Sequence, residues 1–523
     1  MGSVRGSLRV TPLALAAVVA CMPPATSAPA GNVVLFIDTD APVPKLASEL
    51  RIDLFGTDGT WLASRDVAAA SASAWPVSFG VVLPDDASSA QVVVRVRAYP
   101  VGKVQDYRGY RYLAQPTGDS TTHVTALPAA TDSPRLVEDG VDVTPTTEPE
   151  PGLSIDRLLL VPLTAGVVGS IHVTLAGACF GTMADMRDFT ALATCTDTEA
   201  QLAGVAPEQP FAGGLTATAS VQGTFEAPYT GACSGAPRPS TTASDGTPLH
   251  DGDVCVTGGS FVFGSHDNAI DDVTDDDPEA VALVPSFYLD RYEVTVGRYR
   301  AALAAGLVST GELYANDGPL QGSQDDPTSC TWSDTPMGRE ETPVTCITEQ
   351  GAREFCRFAG GDLPLEVQWE YAATMSGGRP AKTSYPWGDG TDEPPSCSDV
   401  VYSRGTIPVA DFCTASKGFG PAPVTAADHS GGDWSLGLHL VDLAGNAAEL
   451  ALDTFASRQA DCWASAPLLS PSCRPGVGPV FTSRGGAWSF SPDQLVAAER
   501  DVVDSGSGSP GLGFRCARPG TGP

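Results

Sequence analysis

The sequence predicts a multidomain chain, with N-terminal all-β, sandwich-like regions followed by an irregular α+β domain. Two observations carry this. Through the first half, short runs rich in β-branched residues recur between turn residues, the pattern of an antiparallel sandwich. From Gly258 the character changes, and cap residues precede apolar positions at helical spacing. At 523 residues the chain is long enough for roughly two to four domains.

Residues 1–20 read as an export signal. Arg5 and Arg9 precede the apolar run Leu13–Ala20, which is too short to span a bilayer. The run ends Val18-Val19-Ala20-Cys21, similar to a bacterial lipobox. That pattern implies cleavage before Cys21, acylation of its thiol and a lipid anchor in a bacterial cell envelope. Ordinary cleavage near Ala28, giving a secreted protein, is the alternative. Residues 21–31 form a tether. Strands are predicted at Val33–Ile37, Leu50–Phe55, Val77–Leu83 and Gln91–Tyr99, with a turn at Gly56–Gly59, giving a sandwich-like domain over residues 32–128. A second β-rich region over 144–230 holds Leu158–Val161, Gly169–Leu175 and Thr216–Gln222. Residues 231–252, rich in Ser, Pro, Thr, Gly and Asp, read as a linker. Residues 32–250 contain no catalytic constellation, so their expected role is to space, scaffold or bind.

Charge and cysteine content narrow the classes of function. Only 18% of residues are charged, yet the formal net charge is -32. Phosphate binding needs clustered Lys and Arg, so nucleic acid is not an expected partner. Of 13 cysteines, Cys21 stands apart and the other twelve are an even set. Close neighbours are Cys179 and Cys195, Cys330 and Cys346, Cys397 and Cys413, and Cys462 and Cys473. An oxidising compartment would pair them. The pairing of Cys233 and Cys255 stays open. No CxxC pair or Cys/His cluster points to zinc.

The last half carries ordered motifs. Gly258–Gly264 opens a strand, and Ser286–Thr295 leads into a helix that Thr295 caps. Thr348 caps the next helix, whose Ala352, Phe355, Cys356 and Ala359 share one face, and Gly360-Gly361 ends it. Asp362-Leu-Pro-Leu-Glu-Val-Gln-Trp-Glu-Tyr-Ala-Ala373 starts a third helix. There Leu365 cannot N-cap, while Gln368 keeps one half of a capping box. Tyr385-Pro-Trp-Gly-Asp389, Leu443-Ala-Gly-Asn-Ala-Ala-Glu449, Arg484-Gly-Gly-Ala-Trp488 and Gly513-Phe-Arg-Cys516 follow.

In this order the motifs resemble the formylglycine-generating enzyme, or sulfatase-modifying factor, family over residues 253–519. The resemblance implies a C-type lectin-like fold and a disulfide between Cys356 and Cys516. Such a bond closes a loop of about 160 residues, worth about 5 kcal/mol in the chain-entropy model. It also implies a copper-dependent oxidase that turns a substrate cysteine into formylglycine through two thiols. Here the matching positions are Phe490 and Leu495, with Ala487 and Ala448 where the family has a small hydroxyl residue and a tryptophan. Copper(I) needs soft thiolates, so no copper is expected. The related non-haem iron enzymes use histidine clusters, and the six histidines here form none.

A calcium site of the family maps onto Asp442, Gly445, Ala447 and Glu449, a set of two carboxylates and two carbonyls suited to a hard cation. A second calcium site is compromised by Lys417, where a carboxylate is expected beside Asp399. The expected function is therefore a binding or structural module, a pseudoenzyme stabilised by calcium, whose ligand is a protein or glycan. Membrane contact is expected only through the lipid anchor. The alternative is an oxidoreductase of the same superfamily with an unrecognised active site.

Overall fold

A computed structural model describes residues 33–59, 61–83, 87–100, 137–138, 141–142, 153–186, 188–196, 202–208, 210, 221–265, 278–320, 327–375, 379, 382–388, 396–405, 413–426, 438–474 and 480–520. The export signal, Cys21, the tether and most of the strand expected at 216–222 lie outside these. Two compact units divide at Phe225 and Glu226.

The first unit contains β1 (Val33–Thr39), β2 (Glu49–Gly56), β3 (Trp61–Ala68), β4 (Val77–Val81) and β5 (Ser89–Tyr99). Then come β6 (Val137–Glu138), β7 (Val141–Asp142), β8 (Ile155–Thr164), β9 (Gly169–Leu175), β10 (Ala193–Cys195) and β11 (Leu202–Gly204). One sheet runs β4-β1-β9 and a second runs β3-β2-β5-β8. The two β-rich stretches are thus not separate. β8 pairs with β5 from Ser89↔Thr164 to Ala98↔Ile155, and β9 runs parallel to β1. The later strands satisfy edges that β5 and β1 would otherwise leave open.

β3 has no counterpart in the sequence reading, because Ala63-Ser64-Arg65-Asp66 lacks β-branched residues. β2 and β5 are buried on both faces. Leu50, Ile52 and Leu54 oppose Ala98, Val96 and Val94 on one face. The other carries Arg51, Asp53, Arg95 and Arg97, all buried. There Arg95 grips Asp156 of β8 at 2.9 and 2.6 Å, and Arg97 meets Asp53 at 2.9 Å. The Cys179–Cys195 disulfide ties down the segment whose Ala184, Met186 and Leu192 pack on Phe55, Val93 and Leu158.

The second unit contains β12 (Asp253–Val256), β13 (Gly259–Phe263), β14 (Ala280–Val284), β15 (Phe287–Asp290), α1 (Val296–Ala304), α2 (Glu349–Phe358), α3 (Glu366–Met375) and α4 (Thr414–Lys417). β16 (Ala448–Thr454), α5 (Asp461–Ala464), β17 (Val480–Arg484), β18 (Asp501–Asp504), β19 (Leu512–Gly513) and β20 (Ala517–Pro519) complete it. Its sheets are β12-β15-β20, β13-β14 and β18-β17-β16-β19.

The helix ends follow the sequence closely. Thr295 and Thr348 accept from the backbone N–H of Arg298 and Gly351. Gly361 N–H reaches Cys356 C=O and Gly360 N–H reaches Arg357 C=O, with Gly360 at φ 83°, a Schellman-type stop. At α3, Leu365 N–H donates to Gln368 Oε1 at 3.0 Å. The missing threonine cap is replaced from a distance: Asp453 of β16 accepts from Glu366 N–H at 2.8 Å.

Residues 231–252 are not a free linker. Cys233 is bonded to Cys255, Arg238 clamps Asp253 at 2.7 Å, and Tyr288 Oη donates to Gly235 C=O at 2.8 Å. A polar composition reads as solvated, but here its polar groups find partners on the β12-β15-β20 sheet. The other bonds are Cys330–Cys346, Cys356–Cys516, Cys397–Cys413 and Cys462–Cys473.

Candidate functional site

Four sequence motifs spread over more than 200 residues end in one buried hub. Arg515 Nε lies 2.8 and 2.7 Å from the two oxygens of Glu449, and its Nη2 lies 2.6 Å from Oε1. Trp369 of α3 donates its indole N–H to the same carboxylate at 2.8 Å. The remaining Arg515 donors reach the carbonyls of Asp290, Arg291 and Val441. All three side chains are buried.

Beside them the Gly445-Asn446 turn is held by Glu293. Asn446 Nδ2 donates to Glu293 at 2.6 Å and to Asp442 at 3.2 Å, while Ala447 N–H donates to Glu293 at 2.8 Å. Gly445 has φ 81°, and a Cβ there would lie 2.5 Å from Val401 C=O. Only glycine fits. Burial raises the Glu293 carboxyl well above the usual range, and Asp442 and Glu449 raise it further. Glu449 is also raised by burial, against the pull of Arg515. Glu293 was not singled out from sequence. Its signal is a carboxylate set between Tyr292 and Val294 at the entry to α1.

The four expected calcium residues therefore share one turn and strand, but not as a ready cage. Both Glu449 oxygens already serve Arg515. Among the described residues no three His, Cys, Asp or Glu side chains are grouped to hold a metal. A calcium ion here would rely on Asp442, on the Gly445 and Ala447 carbonyls, and on a Glu449 oxygen shared with Arg515. Three buried acidic side chains, Glu293, Asp442 and Glu449, lie around the guanidinium of Arg515.

The positions expected to carry thiols are apolar and packed. Gly485 and Gly486 turn the chain at φ 90° and 68° after β17. Trp488 is buried and donates to Pro510 C=O at 2.9 Å. Phe490 then packs on the cluster holding Ala448, Ala487, Cys356, Phe514 and Cys516. So Phe490 and the two small alanines fill one cluster together. Leu495 is fully buried in another, with Val400, Tyr402, Cys413 and Ala444. Neither side chain offers a donor to copper, and these residues do not fit that ion. All twelve cysteines from Cys179 to Cys516 are in disulfides.

A second ionic cluster lies beneath α3. Arg500 grips Glu366 at 2.7 and 2.9 Å, and Thr482 Oγ1 donates to it at 2.8 Å. Glu370 is held by Arg484, by Lys382 at 2.7 Å and by Gly264 N–H at 2.9 Å. Burial alone would raise both carboxyl groups. The cations override it and hold each at about 2, Arg500 first for Glu366 and Lys382 first for Glu370. Their contribution to stability is present above the ordinary glutamate range and is lost as pH falls toward 2.

A loop-rich α+β domain, cross-linked by disulfides and centred on an Arg–Glu–Trp hub, is the class that this fold and site define. Residues 240–519 match the sulfatase-modifying factor enzyme 1-like domain, and the chain belongs to that family. It is 29% identical over 321 residues to the formylglycine-generating enzyme of Streptomyces coelicolor, covering 54% of this chain and 95% of the enzyme. It is 32% identical over 146 residues to the uncharacterized protein YfmG of Bacillus subtilis, covering 27% of this chain and only 28% of that protein. Among solved structures, PvdO from Pseudomonas aeruginosa aligns at 20% identity with a TM-score of 0.41, over 55% of this chain and 100% of that one.

Proposed function

We propose that this protein is an exported, lipid-anchored binding or structural module of the cell envelope, built on a C-type lectin-like frame that no longer oxidises cysteine. One observation carries the reading: every cysteine from Cys179 onward is in a disulfide, while Phe490 and Leu495 are packed into apolar clusters. Loops on a cross-linked frame suit recognition of a protein or glycan. Six disulfides support an oxidising compartment. Among the described residues no helix is long and apolar enough to cross a membrane.

The test is chemical. Purified protein incubated with copper(I), oxygen and a sulfatase-type cysteine peptide should consume no oxygen and form no aldehyde. Stoichiometric copper with peptide oxidation would establish the oxidoreductase instead. The anchor is tested separately: Cys21→Ser should release the protein from membranes, and unchanged membrane association would remove the lipid from the reading.

Calcium belongs to this reading through the carboxylate surplus around Arg515. Added calcium should raise Tm by a few degrees, as any ligand of the folded state does. Asp442→Asn should remove most of that rise. It is the better probe than Glu449→Ala, which would strand Arg515. A wild-type Tm that ignores calcium removes the site.

A further inference from the structure

Arg458 sits in the cluster beneath α3 without a fitted acceptor. The residue is 4% exposed, yet among the described residues its Nε and Nη2 have no hydrogen-bond acceptor. These two nitrogens form the edge that grips a carboxylate in a fork. The same edge of Arg95 holds Asp156 at 2.9 and 2.6 Å, and that of Arg500 holds Glu366 at 2.7 and 2.9 Å. For Arg458 the nearest carboxylates stand off, with Nη2 at 3.7 Å from Glu366 and 3.8 Å from Glu370. Both are already held by the other cations and by Thr482.

A third donor belongs to a ring that the guanidinium stacks on. Trp463 of α5 is 9% exposed, and among the described residues its indole N–H is also without an acceptor. The Arg458 guanidinium lies 3.4 Å from the centroid of Phe263 and 4.6 Å from that of Trp463, so the two aromatic rings fix its plane. Ser457 and Gln459 on either side are exposed, which places the arginine just under a surface loop. Arg458 Nε and Nη2, Trp463 Nε1 and Arg484 Nε of the same cluster have no acceptor among the described residues, and each such buried donor calls for a ligand or a water.

The charge points the same way. Arg458, Arg484, Arg500 and Lys382 surround Glu366 and Glu370. Asp453, a further acid here among the described residues, is pushed up to about 7 by burial and then by Glu366. Among the described residues four cations face these two glutamates, so water would satisfy the donors but leave a positive surplus. We propose that Arg458 and Trp463 form a binding site for a small oxyanion, a carboxylate or an inorganic oxyanion that presents two acceptor oxygens to the Nε/Nη2 edge.

The test uses the full chain at constant ionic strength, with sodium formate, sodium sulfate or sodium chloride as the varied salt and Tm as the readout. Formate or sulfate should give a saturating rise over chloride. Formate selectivity identifies a carboxylate ligand, and sulfate selectivity an inorganic one. Trp463→Phe keeps the ring and removes the N–H, and should weaken the apparent affinity about tenfold, the effect of one hydrogen bond to a charged group. Arg458→Met should abolish the saturating response; if that variant does not fold, Trp463→Phe decides alone. A response that does not saturate, or that is the same in Trp463→Phe and the wild type, overturns the proposal and assigns the donors to an internal water.

Discussion

Arg515→Ala should unfold the C-terminal unit or leave it barely stable, with a loss of about 3–5 kcal/mol in urea titrations followed by tryptophan fluorescence. Removing one partner of a buried pair leaves the other as an uncompensated charge. Here the stranded group is Glu449, already raised by burial, with Glu293 and Asp442 as like-charged neighbours. Three backbone carbonyls would lose their donor as well. The hub joins β15, β16 and α3, so its loss should be global rather than local. Replacing both partners, as in Arg515→Met with Glu449→Leu, should recover part of the loss, because no bare charge remains. A single variant within 1 kcal/mol of wild type would show that the hub does not hold the fold together.

Removal of the Cys356–Cys516 bond should have the next largest effect. Its sequence separation is 160, against 11 to 22 for the other bonds. Chain entropy assigns about 5 kcal/mol to the long loop and about 3 kcal/mol to each short one. The bond also sits in the cluster of α1 and α2 side chains with Phe514. Cys356→Ser with Cys516→Ser should therefore lower the urea midpoint more than Cys462→Ser with Cys473→Ser. The reverse order would mean that strain or residual structure in the unfolded chain, not loop length, sets the stability.

The parts of this protein that were legible in the sequence share a physical character: they are local. Thr295, Thr348 and Gly360 act on backbone groups within one helical turn, so their identities declare the helix ends. The four neighbouring cysteine pairs are joined over short loops. The motifs Gly-Asn, Gly-Gly-Ala-Trp and Gly-Phe-Arg-Cys stand out because their glycines and aromatic residues meet tight backbone geometry. What was hidden depends on distant chain. β8 and β9 look like a new region until β5 and β1 are seen to need partners. Asp453 caps a helix whose first residue lies 87 positions earlier. Arg238 reads as part of a solvated linker, and only Asp253 and Asp290 reveal it as a clamp. Glu293 and Arg458 are charged residues in places where only the folded neighbours explain them.

The clamp at residues 231–252 has a further consequence. Ser234 N–H donates to Gly520 C=O at 2.5 Å, and Arg518 grips Asp253 at 2.6 Å. β12 and β20, the first and last strands of the unit, flank the same central strand β15. The polypeptide thus arrives and departs at one spot. A domain with adjoining ends can be spliced into a surface loop of an unrelated host, or reopened elsewhere after its own ends are fused, with little disturbance to either partner. Such a cassette has to begin near Glu226 rather than at Asp253, because a later cut discards Cys233 and leaves Cys255 an unpaired thiol.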